Sequence, residues 1–195
     1  MLLTYHINCH WNGQPLDHLS TELSLQKHGG DLKLEIMSPF FNTPSPAGQP
    51  GQPFPQLWDE GEVVEAFFLN DDNQYLEVEF SPYGHHLVLM LNGVRKCFKD
   101  KLPLQFSANI EDKKWTGSAL IPLPYFPPKV TKFNAYAIHN CNKERHFEAL
   151  YPADAEKHTE PDFHRLEYFQ PIDFKTLLPE NWSPDHKSAW WTQDH

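Results

Sequence analysis

Apolar and polar residues alternate with period two along most of the chain, the pattern of strands with one buried and one wet face. Leu3, Tyr5, Ile7 and Cys9 begin it and run into Asn12-Gly13, a dipeptide suited to a tight turn. Leu23 and Leu25 lead up to Gly29-Gly30, and Leu32, Leu34 and Ile36 lead away, as two arms of a hairpin do. Residues 63–69 differ: the run is apolar except for Glu65, which predicts a central strand covered on both faces. Residues 75–80 then alternate strictly, with Leu76, Val78 and Phe80 on one face and Tyr75, Glu77 and Glu79 on the other. Segments 87–91 and 94–98 flank Asn92-Gly93 as a hairpin, and further strands are predicted at 104–110, 115–121, 133–138, 146–151 and 163–169.

Helical periodicity is scarce, so about ten strands must bury their apolar faces against one another. The predicted fold is all-β, a two-sheet antiparallel sandwich of jelly-roll type. A length of 195 residues suits one such domain, placed at 1–178. The tail, 179–195, is polar apart from Trp182, Trp190 and Trp191, and the last two are expected to be loosely held. Five prolines and two glycines in residues 42–56 forbid ladder hydrogen bonding and predict a long irregular loop. Prolines 122, 124, 127 and 128 bracket Tyr125-Phe126 and predict an ordered turn that pins both rings to the core.

Charge narrows the partners. Sixteen basic against 26 acidic residues give a net −10, which repels phosphate backbones and anionic lipid and excludes nucleic acid and membrane surfaces. No apolar run approaches the roughly 20 residues of a membrane helix, and residues 1–13 lack a basic region followed by a long apolar one. The expected location is the cytoplasm, with the nucleus also open. Cys9, Cys97 and Cys141 are an odd, widely spaced set, read as reduced and mostly buried thiols.

The motifs of common enzyme classes are missing: there is no G-x-S-x-G elbow, no phosphate-cradling glycine loop and no dinucleotide fingerprint. Twelve histidines are scattered and no H-x-x-x-H with a carboxylate partner stands out, although His139 and His146 are placed to meet across a hairpin. The notable acids are Glu62, Glu65, Glu77 and Glu79. They fall on consecutive strands, so antiparallel pairing sets some opposite others. They could accept hydrogen bonds from sugar hydroxyls, hold a cation, form a glycosidase pair, or lie on a solvated face balanced by Arg145, Arg165 or lysines. Trp58 is either a stacking platform for a sugar ring or a core plug.

Three segments carry a resemblance: LWDEGEVVEAFFLNDDNQYLEVEFSPYGHHLVL, YFPPKVTKFNAYAIHNCNKERHFEALYP and EPDFHRLEYF. Over most of its length the chain resembles an uncharacterised eukaryotic family typified by a human chromosome-four open-reading-frame protein. More distantly, Trp58, Val63, Glu65 and Phe67, then Tyr75, Glu77, Glu79, Pro82 and Gly84, then Pro161, Phe163, Arg165, Leu166 and Tyr168 follow a pattern similar to family-nine carbohydrate-binding modules. That resemblance implies two aromatic rings clamping a sugar, polar side chains reading its hydroxyls, and structural calcium as the one cofactor to consider. Trp58 and Glu65 fall where one ring and one acid belong, and Tyr151 or His139 is the candidate second ring. A clear second tryptophan is lacking. The combined reading is a non-catalytic module binding a small polar ligand, a saccharide by resemblance, at a site of Trp58, Glu65, Glu77, His139, Arg145 and Tyr151. The alternatives are a protein-interaction module using residues 42–56 and the tail, and a hydrolase using the acidic face.

Overall fold

Residues that alternate in sequence alternate in burial. In the computed structural model, which describes residues 1–141 and 143–192, the strands up to the first long loop are β1 (Leu2–Ile7), β2 (Cys9–His10), β3 (Thr21–His28) and β4 (Asp31–Pro39). A single helical turn, α1 (Leu57–Glu60), precedes β5 (Val63–Leu69), β6 (Gln74–Phe80), β7 (His86–Asn92) and β8 (Cys97–Asp100). The remainder are β9 (Gln105–Glu111), β10 (Lys114–Pro122), β11 (Lys132–Cys141), β12 (Glu144–Ala149) and β13 (Gln170–Pro171). They pair antiparallel into two sheets. The smaller has the order β1-β3-β4-β10-β9; the larger has β2-β12-β11-β5-β6-β7-β8, with β13 also on β11. This is the expected β-sandwich.

The sandwich core is built from one parity of each strand. Leu23, Leu25, Leu34 and Ile36 of the smaller sheet meet Ala66, Phe68, Leu76 and Val78 of the larger, all buried. Each fully buried side chain of this size contributes about 1.5–3 kcal/mol of transfer free energy. The opposite parity of the larger sheet is covered as well. Residues around 54–57 and 163–169 lay Phe54, Leu57, Phe163, Leu166 and Phe169 over Phe67, Tyr75 and Tyr136. That second apolar layer is why every residue of β5 is buried, and it turns the sheet's outer face into the floor of a pocket.

Four expectations are corrected. Residues 163–169 are not a strand but turns and a 3-10 segment, Leu166–Tyr168. Phe163, Leu166 and Phe169 recur every third residue, the 3-10 period, so they point one way onto the sheet. The 94–98 arm shortens to β8, because Gly93 and Arg95 both take positive φ, 100° and 59°, and lengthen the turn. In the tail, Trp191 is 3% exposed and donates its indole N–H to the Tyr125 carbonyl at 3.1 Å. Trp190 packs edge-on to Tyr125 beneath the Lys99 ammonium, 4.5 Å from its ring. The tryptophans expected to be loose therefore help close the sandwich; residues 193–195 of the tail lie outside the described residues. The proline-bracketed turn is a 3-10 segment, Leu123–Tyr125, with Tyr125 and Phe126 buried. All three cysteines are free, as expected, but Cys97 is exposed and the other two half-buried, so they are not mostly buried thiols. Among the described residues no helix is long and apolar enough to cross a membrane.

Candidate functional site

Strict alternation in β6 sends Glu77 and Glu79 to the outer face of the larger sheet, and pairing of β5 with β6 sets Glu65 directly opposite Glu79. All three carboxylates are buried, with an oxygen of each within 4.8 Å of the others. They form the floor of a cavity of about 300 Å³. Leu87, Leu89 and Ile138 continue the floor, Phe147, Phe163 and His164 wall it, and Trp58 and Arg95 reach it from the rim. The face is not the solvated one the sequence left open.

Burial dominates the electrostatics, because removing a carboxylate from water disfavours its charged form. It pushes Glu77 up to about 8 against the pull of Arg95, and it raises Glu65 well above the usual carboxylate range with help from the Glu77 charge. Glu79 is driven up by burial, by Glu65 and by Glu77. Three acids this close cannot all ionise near neutral pH, so the floor presents carboxyl O–H donors beside carboxylate acceptors. Glu65 Oε1 and Glu79 Oε2 have no hydrogen-bond partner. Burial and Arg95 hold His164 down to about 4, so its ring is neutral; Nδ1 lies 2.7 Å from the Tyr75 hydroxyl and Nε2 4.0 Å from Glu77. Arg95 pairs with Asp162 at 2.6 Å across the rim and donates its backbone N–H to the Tyr75 hydroxyl. The donors on the floor are all oxygens, the type calcium takes, but three carboxylates are short of the six to eight ligands it needs.

The structure brings together three of the six residues singled out in the sequence: Trp58, Glu65 and Glu77 line one cavity. Arg145 stands on the same face without lining the cavity. Its guanidinium donates to the Trp58 and Gly61 carbonyls, the latter at 3.0 Å, and so holds α1 against the sheet. Tyr151 lies in a separate small crevice with Trp11, Tyr136 and Arg165. His139 is on the other side. Tyr136 pairs with Glu65, and three residues along a strand is an odd step, so His139 faces inward. Glu62 also stands apart, accepting the backbone N–H groups of Phe41 and Thr43 at 3.1 and 3.3 Å. Arg95, Asp162 and His164 were missed; they come from two distant turns that no periodicity marks. Glu79 shared the alternation of Glu77 and was legible from it.

A second polar cluster sits on the inner face at one end of the sandwich. One oxygen of Glu148 of β12 lies 2.6 Å from His139 Nε2 and 2.9 Å from His18 Nε2. The ring of His139 stacks on Phe41, 3.5 Å between centroids. Burial raises Glu148, but the contacts from His139 and His18 outweigh it and hold the carboxyl below its usual range.

Fold and pocket together define a class: an antiparallel β-sandwich with an acid-floored, aromatic-rimmed pocket on the outer face of its larger sheet. No family profile matches the chain. It is 48% identical to the UPF0462 protein C4orf33 homolog of Mus musculus, covering 96% of this chain and all of that one. It is 46% identical to UPF0462 protein C4orf33 of Homo sapiens, covering 96% of each. The Danio rerio homolog is also 46% identical, over 96% of this chain and 98% of its own. The chain belongs to this UPF0462 family. Among solved structures it is similar to a candidate carbohydrate-binding protein from Bacteroides uniformis, with a TM-score of 0.61 over 87% of this chain and 85% of that one. At 14% identity this likeness shows the fold alone.

Proposed function

We propose that the protein is a ligand-binding module whose ligand is a small polyhydroxylated molecule of the saccharide class, held in the acid-floored pocket without being transformed. The observation that carries this reading is that Glu65 Oε1 and Glu79 Oε2 are buried on the cavity floor without a partner. A buried polar atom left unpaired costs about 1–3 kcal/mol, which a ligand hydroxyl recovers by donating to it. Hydroxyls both donate and accept, and a partly protonated carboxyl cluster does the same. A volume of about 300 Å³ is at the small end of ligand sites and suits one or two sugar rings. Trp58, 53% exposed at the rim, offers an apolar face to pyranose C–H groups. The sandwich likeness to a candidate carbohydrate-binding protein is compatible with this assignment.

Thermal-shift screening against mono- and oligosaccharides, with and without calcium, tests it, since ligand at 100 times its dissociation constant adds about 2.7 kcal/mol. A stabilising sugar whose effect disappears in Glu65→Gln is the expected result. Flat curves across a broad sugar panel would sink the proposal. One observation favours a second reading, hydrolysis: carboxylate oxygens within 4.8 Å approach a retaining pair, and Glu77 is held protonated. Glycosidase activity that falls by orders of magnitude in Glu77→Gln would select it.

A further inference from the structure

Across the larger sheet from the acid pocket, three side chains from three segments converge on one point. His139 comes from β11, Glu148 from β12, and His18 from the segment between β2 and β3. Their ligand atoms lie within 4.8 Å of one another. Glu148 is fully buried, His139 nearly so, and the His18 side chain is 19% exposed.

The hydrogen-bond arithmetic of this group does not close. His18 Nδ1 is 2.8 Å from the Leu19 carbonyl, which only accepts, so Nδ1 carries the proton. In the neutral ring Nε2 is then a bare lone pair, and it faces a carboxylate oxygen at 2.9 Å without a hydrogen bond between them. His139 Nε2 already approaches that oxygen from another direction. Glu148 Oε2 and His139 Nδ1 are buried without partners. Two lone pairs directed at each other in a dry site call for positive charge between them, either a second proton on His18, which the Glu148 contact favours, or a metal ion. No lysine or arginine is paired with Glu148 among the described residues.

We propose that His18, His139 and Glu148 form a binding site for one first-row divalent metal ion, zinc foremost. Two imidazole nitrogens and one carboxylate oxygen are the donor set of three-ligand zinc sites, whereas calcium and magnesium take oxygen alone. The Nδ1-to-carbonyl contact of His18 is the arrangement that presents Nε2 to a metal. Phe41 on the face of His139 fixes that ring, and the part-exposed His18 side leaves a coordination position open to water. A tetrahedral ion holds its ligand atoms about 3.3 Å apart. Spreading the 2.6 and 2.9 Å contacts to that value moves each side chain by well under an ångström.

The test uses the full chain, stripped by chelator and titrated with zinc against a chromogenic competitor. Cobalt serves as a spectroscopic probe, because a four-coordinate site gives intense visible bands. The expected result is one equivalent bound, a four-coordinate cobalt spectrum, and at least a tenfold loss of affinity in His18→Ala. Glu148→Gln, which keeps the side-chain shape, gives the same loss where His18→Ala disturbs its segment. The exposed His28→Ala serves as the surface control and binds as the parent does. Absence of stoichiometric zinc, or equal binding by the parent, His18→Ala and Glu148→Gln, overturns the site.

Discussion

Glu77→Gln isolates the electrostatic strain on the pocket floor. Glu77 faces Glu79 and Glu65 on the two central strands, and Arg95 and His164 from the turns packed over them. Its folded pKa of about 8 stands above the ordinary value of 4.5, so the folded chain holds a proton that the unfolded chain releases. The stability from this proton is fully present below about pH 4.5 and is lost as the pH rises through the folded value. The slope is about 1.4 kcal/mol per pH unit while Glu77 remains protonated only in the folded state. Between about pH 6.5 and 8 the parent should lose roughly 2 kcal/mol that the neutral glutamine does not lose. His164 is neutral when folded across this window and half protonated at its lower edge when unfolded, and since both proteins carry it the contribution cancels in the difference. Glu62, raised to about 7 by burial, titrates equally in both proteins and cancels in the difference. Urea unfolding followed by tryptophan fluorescence reads this as a gap in midpoints growing by about 1 M across the window. Parallel stability curves for the two proteins would refute the burial of a protonated Glu77.

Trp58→Ala should abolish saccharide binding while changing stability by less than about 1 kcal/mol, because the ring is half exposed; a large fall in melting temperature would place it in the core instead. Trp191→Ala should cost about 3–5 kcal/mol, read by urea titration, since it empties a buried indole site and orphans the Tyr125 carbonyl; a loss under 1 kcal/mol would mean the tail does not close the sandwich. Arg145→Lys removes the fork that joins the Trp58 and Gly61 carbonyls and should cost about 1–3 kcal/mol. Calorimetry should also find weaker sugar binding in that variant, and unchanged affinity would separate α1 from the pocket.

What the sequence reveals of this fold is whatever its periodicity encodes. The alternation of residues 75–80 assigns Glu77 and Glu79 to one face, and the run of β5, apolar but for Glu65, announces a strand covered on both sides. What covers it is not legible, because Phe163, Leu166 and Phe169 read as strand residues until their spacing of three is set against the sheet. Grouping His139 with Glu65 fails on parity alone: β11 places them on opposite faces, and register is a tertiary property. The same rule, applied to the hairpin that pairs His139 with His146, puts Glu148 two residues on and therefore beside His139. His18 sits among turns, where no period exists to find it.

The two-sided covering of β5 also sets how the molecule breathes. Its amides lie under apolar layers on both faces and between two partner strands, so their hydrogen exchange should require global opening. The rim carries no such protection: α1 is a single turn pinned by Arg145, and the 161–165 turn is tied by the Arg95–Asp162 pair. For the binding proposed above, ligand entry and departure would thereby be separated from unfolding. The acids stay fixed in what should be the slowest-exchanging part of the chain, while the rim above them should open at a small fraction of the stability of the whole.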